Sequence, residues 1–187
     1  MSTELHYEFT GEEKVNLFGY TVKRIRATRD LPRLGVRKGD EGGWIEGFDA
    51  LVSGGAWVFG DALVYGGALV YGNAWVLGGA WVFGNAQVFG NAQVERERHI
   101  LVVGPIGSEN VHATLVRDSK GKHILTVGCW TGTLGTLMKE VKRRREGWYA
   151  DDETQEFWFS QYRALKAMGE VWTAEWAREA NSTEELS

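Results

Sequence analysis

Residues 50–94 read "ALVSGG AWVFGD ALVYGG ALVYGN AWVLGG AWVFGN AQVFGN AQV". Eight units follow one another here, each with Ala first and Val third. Because Ala and Val lie two positions apart, both side chains point to the same face of an extended strand. A Gly follows two residues after each Val from Gly54 to Gly90, and the next residue is Asn, Asp or Gly; all three tolerate the positive φ of a tight corner. Six-residue repeats are typical of parallel β-helices, so we predict short stacked strands around a narrow interior of Ala and Val.

The outward positions of these repeats are unusually apolar. Positions 18 apart are expected to stack, which places Trp57 below Trp75 and Leu63 below Trp81. Contiguous exposed apolar side chains promote association, so we predict a homotrimer packed along these faces. The alternatives are that the Trp-rich C-terminal helix of the same chain covers them, or that it covers one face while neighbouring chains cover the others. The predicted oligomer interface consists of Trp57, Trp75, Trp81, Phe59, Tyr71 and Phe83.

The composition argues against a protein that binds nucleic acid, contains disulfide bonds or spans a membrane. The 187 residues carry a formal net charge of −4, which gives no reason to expect binding to nucleic acid or to an anionic membrane. The single cysteine, Cys129, excludes an intramolecular disulfide and suits a reducing compartment. No apolar stretch approaches the roughly 20 residues of a membrane helix, and no signal segment follows Met1. We therefore expect a cytoplasmic protein.

The sequence divides into three predicted domains: an N-terminal β cap (1–47), the hexapeptide-repeat β-helix (48–94) and an α+β domain of three strands and two helices (95–187). In the first, two alternating segments predict strands joined near Asn16–Gly19. Because a stack of fewer than three coils leaves apolar ends and open strand edges, we expect the flanking segments to cap it.

The predicted elements of the third domain follow from a change of pattern after the repeats. "HILVVG", "NVHATLVRD" and "HILTVGCW" predict strands, with "DSKGK" as a hairpin turn. Apolar residues at 134, 137, 138 and 141 predict a helix beginning near Thr133. A second helix is predicted from about Asp152 to Ala180, with Gly169 as its weak point. Its apolar stripe would contain Trp158, Tyr162, Leu165, Trp172 and Trp176.

The repeats resemble the hexapeptide-repeat, left-handed parallel β-helix family, which includes many acyltransferases that assemble as trimers. "YTVKRIRATRD" and "VRKGDEGGWIE" resemble the N-terminal cap of hexapeptide proteins common in bacteriophages and bacteria. "VGPIGSENVHATLVRDSKG" and "VGCWTGTL" resemble the domain that follows such repeats in phage proteins. The resemblance implies a β-rich fold with a short left-handed parallel β-helix, an N-terminal β cap and a C-terminal α+β domain, in a phage-encoded trimer. The chain departs from the family at Glu109, where a basic residue commonly precedes the Asn of "GS-x-N".

Donor-rich loops after the repeats suggest where an anion would bind. Gly128, Gly132 and two threonines surround the predicted helix start, a favourable place for phosphate or carboxylate. Helix capping and turn formation explain these residues equally without a ligand. A second loop, "GSEN", offers a hydroxyl and an amide, and the basic run before the repeats would supply charge. The predicted ligand-binding residues are Ser108, Asn110, Thr131, Thr133, Arg24, Arg26 and Arg29.

No motif in the sequence positions a catalytic base, a nucleophile or a metal ion. Transferases of the resembled family use a His near the subunit boundary as general base, but the repeats contain none. Cys129 precedes the predicted helix start, where a thiol is either activated or simply buried as a small apolar group. No His pair has the spacing of metal ligands, and one Cys cannot form a Cys-rich zinc site, so we expect neither metal nor cofactor. The run Lys142–Arg145 complements the helix dipole, or, multiplied by assembly, surrounds a small anion.

Three functions stay open on the sequence. The leading hypothesis is a non-enzymatic binding protein that sequesters a small anionic ligand, such as a nucleotide signal used in host defence. The second is an inhibitor or scaffold that binds a host protein through the aromatic repeat surface. The third is a hexapeptide-type acyltransferase, which the missing general base disfavours.

Overall fold

The computed structural model describes residues 5–47, 50–118, 120 and 122–184, with side chains described as far as residue 180. The chain forms two compact units, Met1–Glu97 and Arg98–Ser187, which we call the N-terminal and C-terminal units. None of the described helices is both long and apolar enough to cross a membrane.

Three sheets build the described part of the N-terminal unit. The first has five strands in the order β1-β2-β3-β6-β9, and the others have the orders β10-β7-β4 and β11-β8-β5. A 3₁₀ turn spans Pro32–Leu34. The strands are β1 (Tyr7–Val15), β2 (Thr21–Ala27), β3 (Glu41–Ile45), β4 (Leu51–Val52), β5 (Trp57–Val58), β6 (Leu63–Val64), β7 (Leu69–Val70), β8 (Trp75–Val76), β9 (Trp81–Val82), β10 (Gln87–Val88) and β11 (Gln93–Val94).

Repeats three units apart pair in parallel, as their spacing predicts. Trp57 lies opposite Trp75, and Leu63 lies opposite Trp81. The Ala and Val side chains of all eight units are fully buried, so the prediction that they form the interior is confirmed. Gly72, at one corner, has φ +76°, and a β-carbon there would lie 2.9 Å from the backbone nitrogen of Gly90. This corner needs glycine both for its φ and for the close approach of the next unit.

The predicted fold class, a short left-handed parallel β-helix with a separate N-terminal β cap and a C-terminal α+β domain, is wrong. The structure instead contains four distinct sheets and two helices. The N-terminal strands are not a separate cap, because β3 pairs in parallel with β6 and carries the β1–β2 hairpin into the same mixed sheet. The six-residue period sets where short strands and corners fall, but it does not set how the resulting sheets join.

The predicted N-terminal hairpin is confirmed, and the residue just before it covers Trp57. β1 and β2 pair antiparallel, and the Asn16 side-chain oxygen accepts hydrogen bonds from the backbone of Phe18 and Tyr20 at the turn. Just before β1, buried His6 donates a hydrogen bond from Nε2 to the Ala56 carbonyl, over 2.7 Å. The His6 ring lies against the Trp57 indole, which is 1 % exposed. Trp57 is therefore covered by its own chain.

The C-terminal unit contains an antiparallel sheet in the order β12-β13-β14-β15. The three predicted strands are confirmed, while the short fourth strand was not predicted. The Asp118 carboxylate accepts hydrogen bonds from the backbone of Lys120 and Lys122, as a turn requires, although residues 119 and 121 of the predicted "DSKGK" turn lie outside the described part. The elements are a 3₁₀ turn (Glu97–His99), β12 (Ile100–Ile106), β13 (Val111–Arg117), β14 (His123–Val127), β15 (Trp130–Gly132), α1 (Leu134–Arg145) and α2 (Asp152–Glu184).

Both predicted helices are confirmed, and α2 continues past its predicted end. Their buried faces meet the sheet in one core that includes Leu115, Leu137, Leu165 and Trp176. Gly169, the weak point predicted from helix propensity, does not interrupt α2. A β-carbon there would lie 2.6 Å from Leu134 Cδ2, so the absence of a side chain is what lets α2 pack closely.

Candidate functional site

An anion site is predicted at the start of α1, but the backbone N–H groups there donate to side chains of the same chain. The backbone N–H of Thr133 donates to Thr136 Oγ1 over 3.0 Å, and that of Leu134 donates to His123 Nε2 over 3.1 Å. Burial lowers the pKa of His123, which favours the neutral ring that such an acceptor requires. Thr133 is thus the helix N-cap, and Thr131 is an exposed residue of β15.

The three predicted arginines belong to the N-terminal unit and have partners there. Arg24 Nε lies 3.2 Å from a Glu41 carboxylate oxygen, and Arg26 Nη2 lies 2.7 Å from one of Glu8. Arg29 donates to the Gly54 carbonyl over 3.2 Å. The predicted hydroxyl and amide donors all lie in the C-terminal unit, so the predicted set is spread over two compact units.

A different cluster of side chains surrounds a cleft of about 570 Å³ within the C-terminal unit. Pockets of a few hundred to a thousand Å³ are typical of small-molecule sites. We call it the basic–aromatic cleft. It is lined by Ser108 and Glu109 from the β12–β13 turn, Cys129 from the β14–β15 turn, Arg143 and Arg144 from α1, Gly147, Trp148 and Tyr149 from the following loop, and Trp158 and Tyr162 from α2.

The carboxylate of Glu140 forms ion pairs with both cleft arginines. Arg143 Nη2 and Arg144 Nε each lie 2.7 Å from Oε1 of Glu140, one turn earlier on α1. Hydrogen bonds from Arg143 and then Arg144 lower the pKa of Glu140 to about 2, so this carboxylate is charged at neutral pH. Arg144 also donates from Nη2 to Cys129 Sγ over 3.6 Å. The Arg143 side chain is 68 % exposed, which leaves its remaining donors open to a ligand.

Aromatic rings give the cleft flat apolar surfaces. The Trp148 indole meets Trp158 edge to face, with ring centroids 5.6 Å apart, and stacks on Tyr162 at 6.2 Å. Trp148 and Trp158 are half-buried, and Tyr149 is fully exposed. Guanidinium groups beside stacked aromatic rings suit ligands that combine an anionic group with a planar ring.

The β12–β13 turn is docked onto α2 at the edge of this cleft. The backbone N–H of Gly107 donates to Gln161 Oε1 over 2.8 Å. Gly107 has φ +71° and lies so close to the Tyr162 ring that a β-carbon would overlap it. Asn110 has φ +49° and closes the turn through its backbone N–H to the Gly107 carbonyl. Of the two turn residues predicted to bind a ligand, Ser108 lines the cleft and Asn110 does not.

Sequence reasoning missed most of this cleft. The sequence predicts that the run containing Arg143 and Arg144 complements the helix dipole or, multiplied by assembly, surrounds an anion. That prediction gives no reason to select Trp148 or Tyr149. The available signal was the basic run that ends α1, followed within four residues by "GWY". That signal says nothing of Ser108 or Glu109, because only the packing of the turn on α2 places them nearby.

The predicted interface residues differ in exposure. Trp57 is buried within the chain, Phe59, Tyr71, Trp75 and Trp81 are half-buried, and Phe83 is 48 % exposed. Phe83 stacks on Tyr65, with centroids 5.5 Å apart, and Phe18 stacks on the same tyrosine. The exposed rings of Phe18 and Phe83 thus pack on a tyrosine that is itself buried.

Across the described part of the chain, no three His, Cys, Asp or Glu side chains come together as a metal site would require. No family model, curated protein or solved structure matches this chain.

Proposed function

We propose that the protein is a non-enzymatic binding protein that sequesters a small nucleotide in the basic–aromatic cleft. The observation that carries this proposal is the presence of Arg143 and Arg144 in the same cleft as the indoles of Trp148 and Trp158. The arginines would bind phosphate oxygens, and an aromatic ring would stack on the base. The proposal places the protein in the cytoplasm as a homotrimer, one cleft per chain.

Charge supports an anionic ligand over a neutral one. The residues that line the cleft include two guanidinium groups and one carboxylate, from Glu109. Hydrogen bonds to Glu140 keep both arginines protonated and raise their pKa, so their charge does not depend on pH in the ordinary range. Because Glu140 holds them from the α1 side, part of the cost of ordering these long side chains is already met before a ligand binds.

Sequestration and catalysis differ in what happens to the ligand. A general base must lie within hydrogen-bonding reach of the substrate, and the cleft lining contains no histidine or lysine. Cys129 is the one thiol, and its contact is with the Arg144 guanidinium. We therefore expect the ligand to be released chemically unchanged.

Calorimetry of the wild-type chain against GMP, AMP, CMP and UMP tests the proposal, with chromatography of the nucleotide recovered after heating. Arg143→Gln removes a charge-assisted hydrogen bond worth about 1.5–3 kcal/mol, so affinity should fall by about ten- to a hundredfold. Lys142→Gln is the matched control, because Lys142 is an exposed cation on the same helix that does not line the cleft. Equal losses from both variants, or no binding of any nucleotide, would refute the proposal. Recovery of a modified nucleotide would establish an enzyme instead.

A second candidate function is binding of a host protein through the exposed aromatic rings of Phe18 and Phe83. Phe18 is 63 % exposed, which is unusual for a side chain whose burial stabilises by about 1.5–3 kcal/mol. The same rings would serve the proposed homotrimer. Native mass spectrometry of the purified chain separates the two, because it reports the oligomer mass and any retained protein or nucleotide together.

A further inference from the structure

The basic–aromatic cleft carries charges of opposite sign on different elements. Arg143 and Arg144 come from α1, whereas Glu109 comes from the β12–β13 turn. An exposed carboxylate facing a purely anionic ligand would repel it. The lining therefore suits a ligand with an anionic group and, separately, a hydrogen-bond donor.

The Glu109 carboxylate has no polar partner among the residues that the structure describes. The cleft arginines form their ion pairs with Glu140, and Glu109 makes no hydrogen bond or ion pair with any residue that the structure describes. Its charge acts on the cleft wall all the same: burial raises the pKa of the Tyr162 hydroxyl, and Glu109 raises it further, against the opposite effect of Arg144. An ionised carboxylate has only acceptor oxygens, so the partner that Glu109 lacks is a donor.

The turn that carries Glu109 is built to hold a fixed position. Its first residue, Gly107, is tied to Gln161 through the backbone and packs on the Tyr162 ring without a side chain. The turn closes at Asn110 in the left-handed region. Both anchors come from α2, which also supplies Trp158 to the cleft. The turn that carries Glu109 is thus anchored on the helix that supplies Trp158 and Tyr162 to the cleft.

We infer that Glu109 reads the donor edge of a guanine base, which makes guanine nucleotides the preferred ligand class of this cleft. This inference rests on the proposed function. Guanine presents two adjacent donors, N1–H and the N2 amine, to the two oxygens of a carboxylate. Adenine and cytosine present one amine, and uracil presents one imide N–H. Carboxylates accept from base amines in nucleic-acid recognition by the same chemistry. Ser108, beside Glu109 in the cleft, adds a hydroxyl that both donates and accepts.

The test compares GMP, IMP and UMP, which share the phosphate and differ at the base edge. Wild-type protein should bind GMP more tightly than IMP, which lacks the N2 amine, by about three- to tenfold, and UMP more weakly still. Glu109→Gln removes the charged acceptor, so GMP affinity should fall about tenfold. UMP affinity should rise slightly in the same variant, because a repulsive charge has gone. Opposite signs for two ligands in one variant do not follow from a change in folding.

Glu146→Gln is the control for charge alone, because Glu146 lies near Arg143 but does not line the cleft. It should shift GMP, IMP and UMP in the same direction. Wild-type affinities that are equal for the three nucleotides, yet fall together in Arg143→Gln, would overturn the guanine inference and leave the proposed function standing. Affinity for GMP that rises in Glu109→Gln would also overturn it. Binding to none of the three overturns both.

Discussion

The two units of this chain bury their cores in different ways. In the N-terminal unit, each repeat buries one Ala and one Val, such as Ala62 and Val64, at an interval that never changes. In the C-terminal unit, large side chains far apart in sequence, such as Leu115, Leu137 and Leu165, meet in one cluster. The spacing of residues along the repeats fixes the first kind of core. The second kind forms only when strands and helices that are distant in sequence pack together. The basic–aromatic cleft belongs to the second kind.

The two units also differ in the reason why each contains glycine. In the N-terminal unit, corner glycines recur with positive φ at the repeat interval. In the C-terminal unit, Gly169 lies inside a helix, where propensity disfavours it, and is required by one contact with Leu134. Substitutions at these glycines test this difference between the units, because local and long-range requirements predict different responses.

The largest effect is expected from Gly72→Ala in the repeats. Left-handed backbone costs a residue with a side chain about 1–2 kcal/mol, and contact with the Gly90 backbone adds an overpacking cost of about 1–3 kcal/mol. Gly60→Ala is the matched control, since Gly60 also has positive φ (+55°) but a β-carbon there meets nothing within 4 Å. Urea unfolding should show a clearly larger loss for Gly72→Ala. Equal losses would mean that φ alone, and not stacking, fixes these corners.

A smaller effect is expected from Gly169→Ala in α2. Alanine gains about 1 kcal/mol of helix propensity over glycine, but the new methyl group meets Leu134 at 2.6 Å. Overpacking of about 1–3 kcal/mol should outweigh the gain, so the free energy of unfolding should fall by about 1 kcal/mol.

The control is Gly135→Ala in the first turn of α1, where a β-carbon would meet only Thr133 Oγ1 at 3.7 Å. This substitution should stabilise the protein by up to about 1 kcal/mol. If Gly169→Ala stabilises as well, α2 does not depend on close approach at that point, and the contrast between the two units weakens.

The smallest effect is expected from pH. Burial lowers the pKa of His123 from its ordinary value of 6.5, so the unfolded chain binds a proton more readily than the folded one. The contribution of His123 is complete above pH 6.5 and is lost as pH falls from there towards the folded pKa. The free energy of unfolding should therefore decline as pH falls below 6.5, and this contribution stops changing below the folded pKa of His123.

His123→Gln separates the cap from other titrating groups. A glutamine oxygen would accept from the Leu134 N–H without titrating, so the decline below pH 6.5 should become shallower. His6, whose pKa burial also lowers, continues to titrate in this variant and contributes to the remaining slope. Identical slopes for wild type and His123→Gln, measured by urea unfolding at several pH values, would contradict the role of His123 as a cap.

Several elements follow from sequence pattern because their causes are local. The strands before the repeats, the turn at Asn16, the three long strands of the C-terminal unit and both helices were predicted from alternation, turn residues and helical spacing. The fourth strand, β15, was missed because three residues carry too little pattern. The fold class was wrong because pairing of β3 with β6 is a choice among sheet edges, which no short window of sequence specifies.

The candidate site was predictable only in fragments. Ser108, a predicted ligand-binding residue, lines the cleft, whereas Arg24, Arg26 and Arg29, predicted with it on charge alone, lie in the other unit. Charge and residue type show what a side chain can bind. They do not show which side chains share a cavity.

Sequence pattern alone predicts the six-residue spacing of the repeats, the burial of their Ala and Val residues, and the positions of the two helices, since each depends on residues a few positions apart. Only the tertiary structure decided that the N-terminal hairpin joins a repeat sheet, that Trp57 is covered by its own chain, and that Glu109 faces the same cleft as Arg143 and Arg144. The physical reason is that local geometry follows from backbone preferences and periodic burial. Cavities arise instead from long-range packing, in which single contacts such as Gly107 on Tyr162 decide which loops meet.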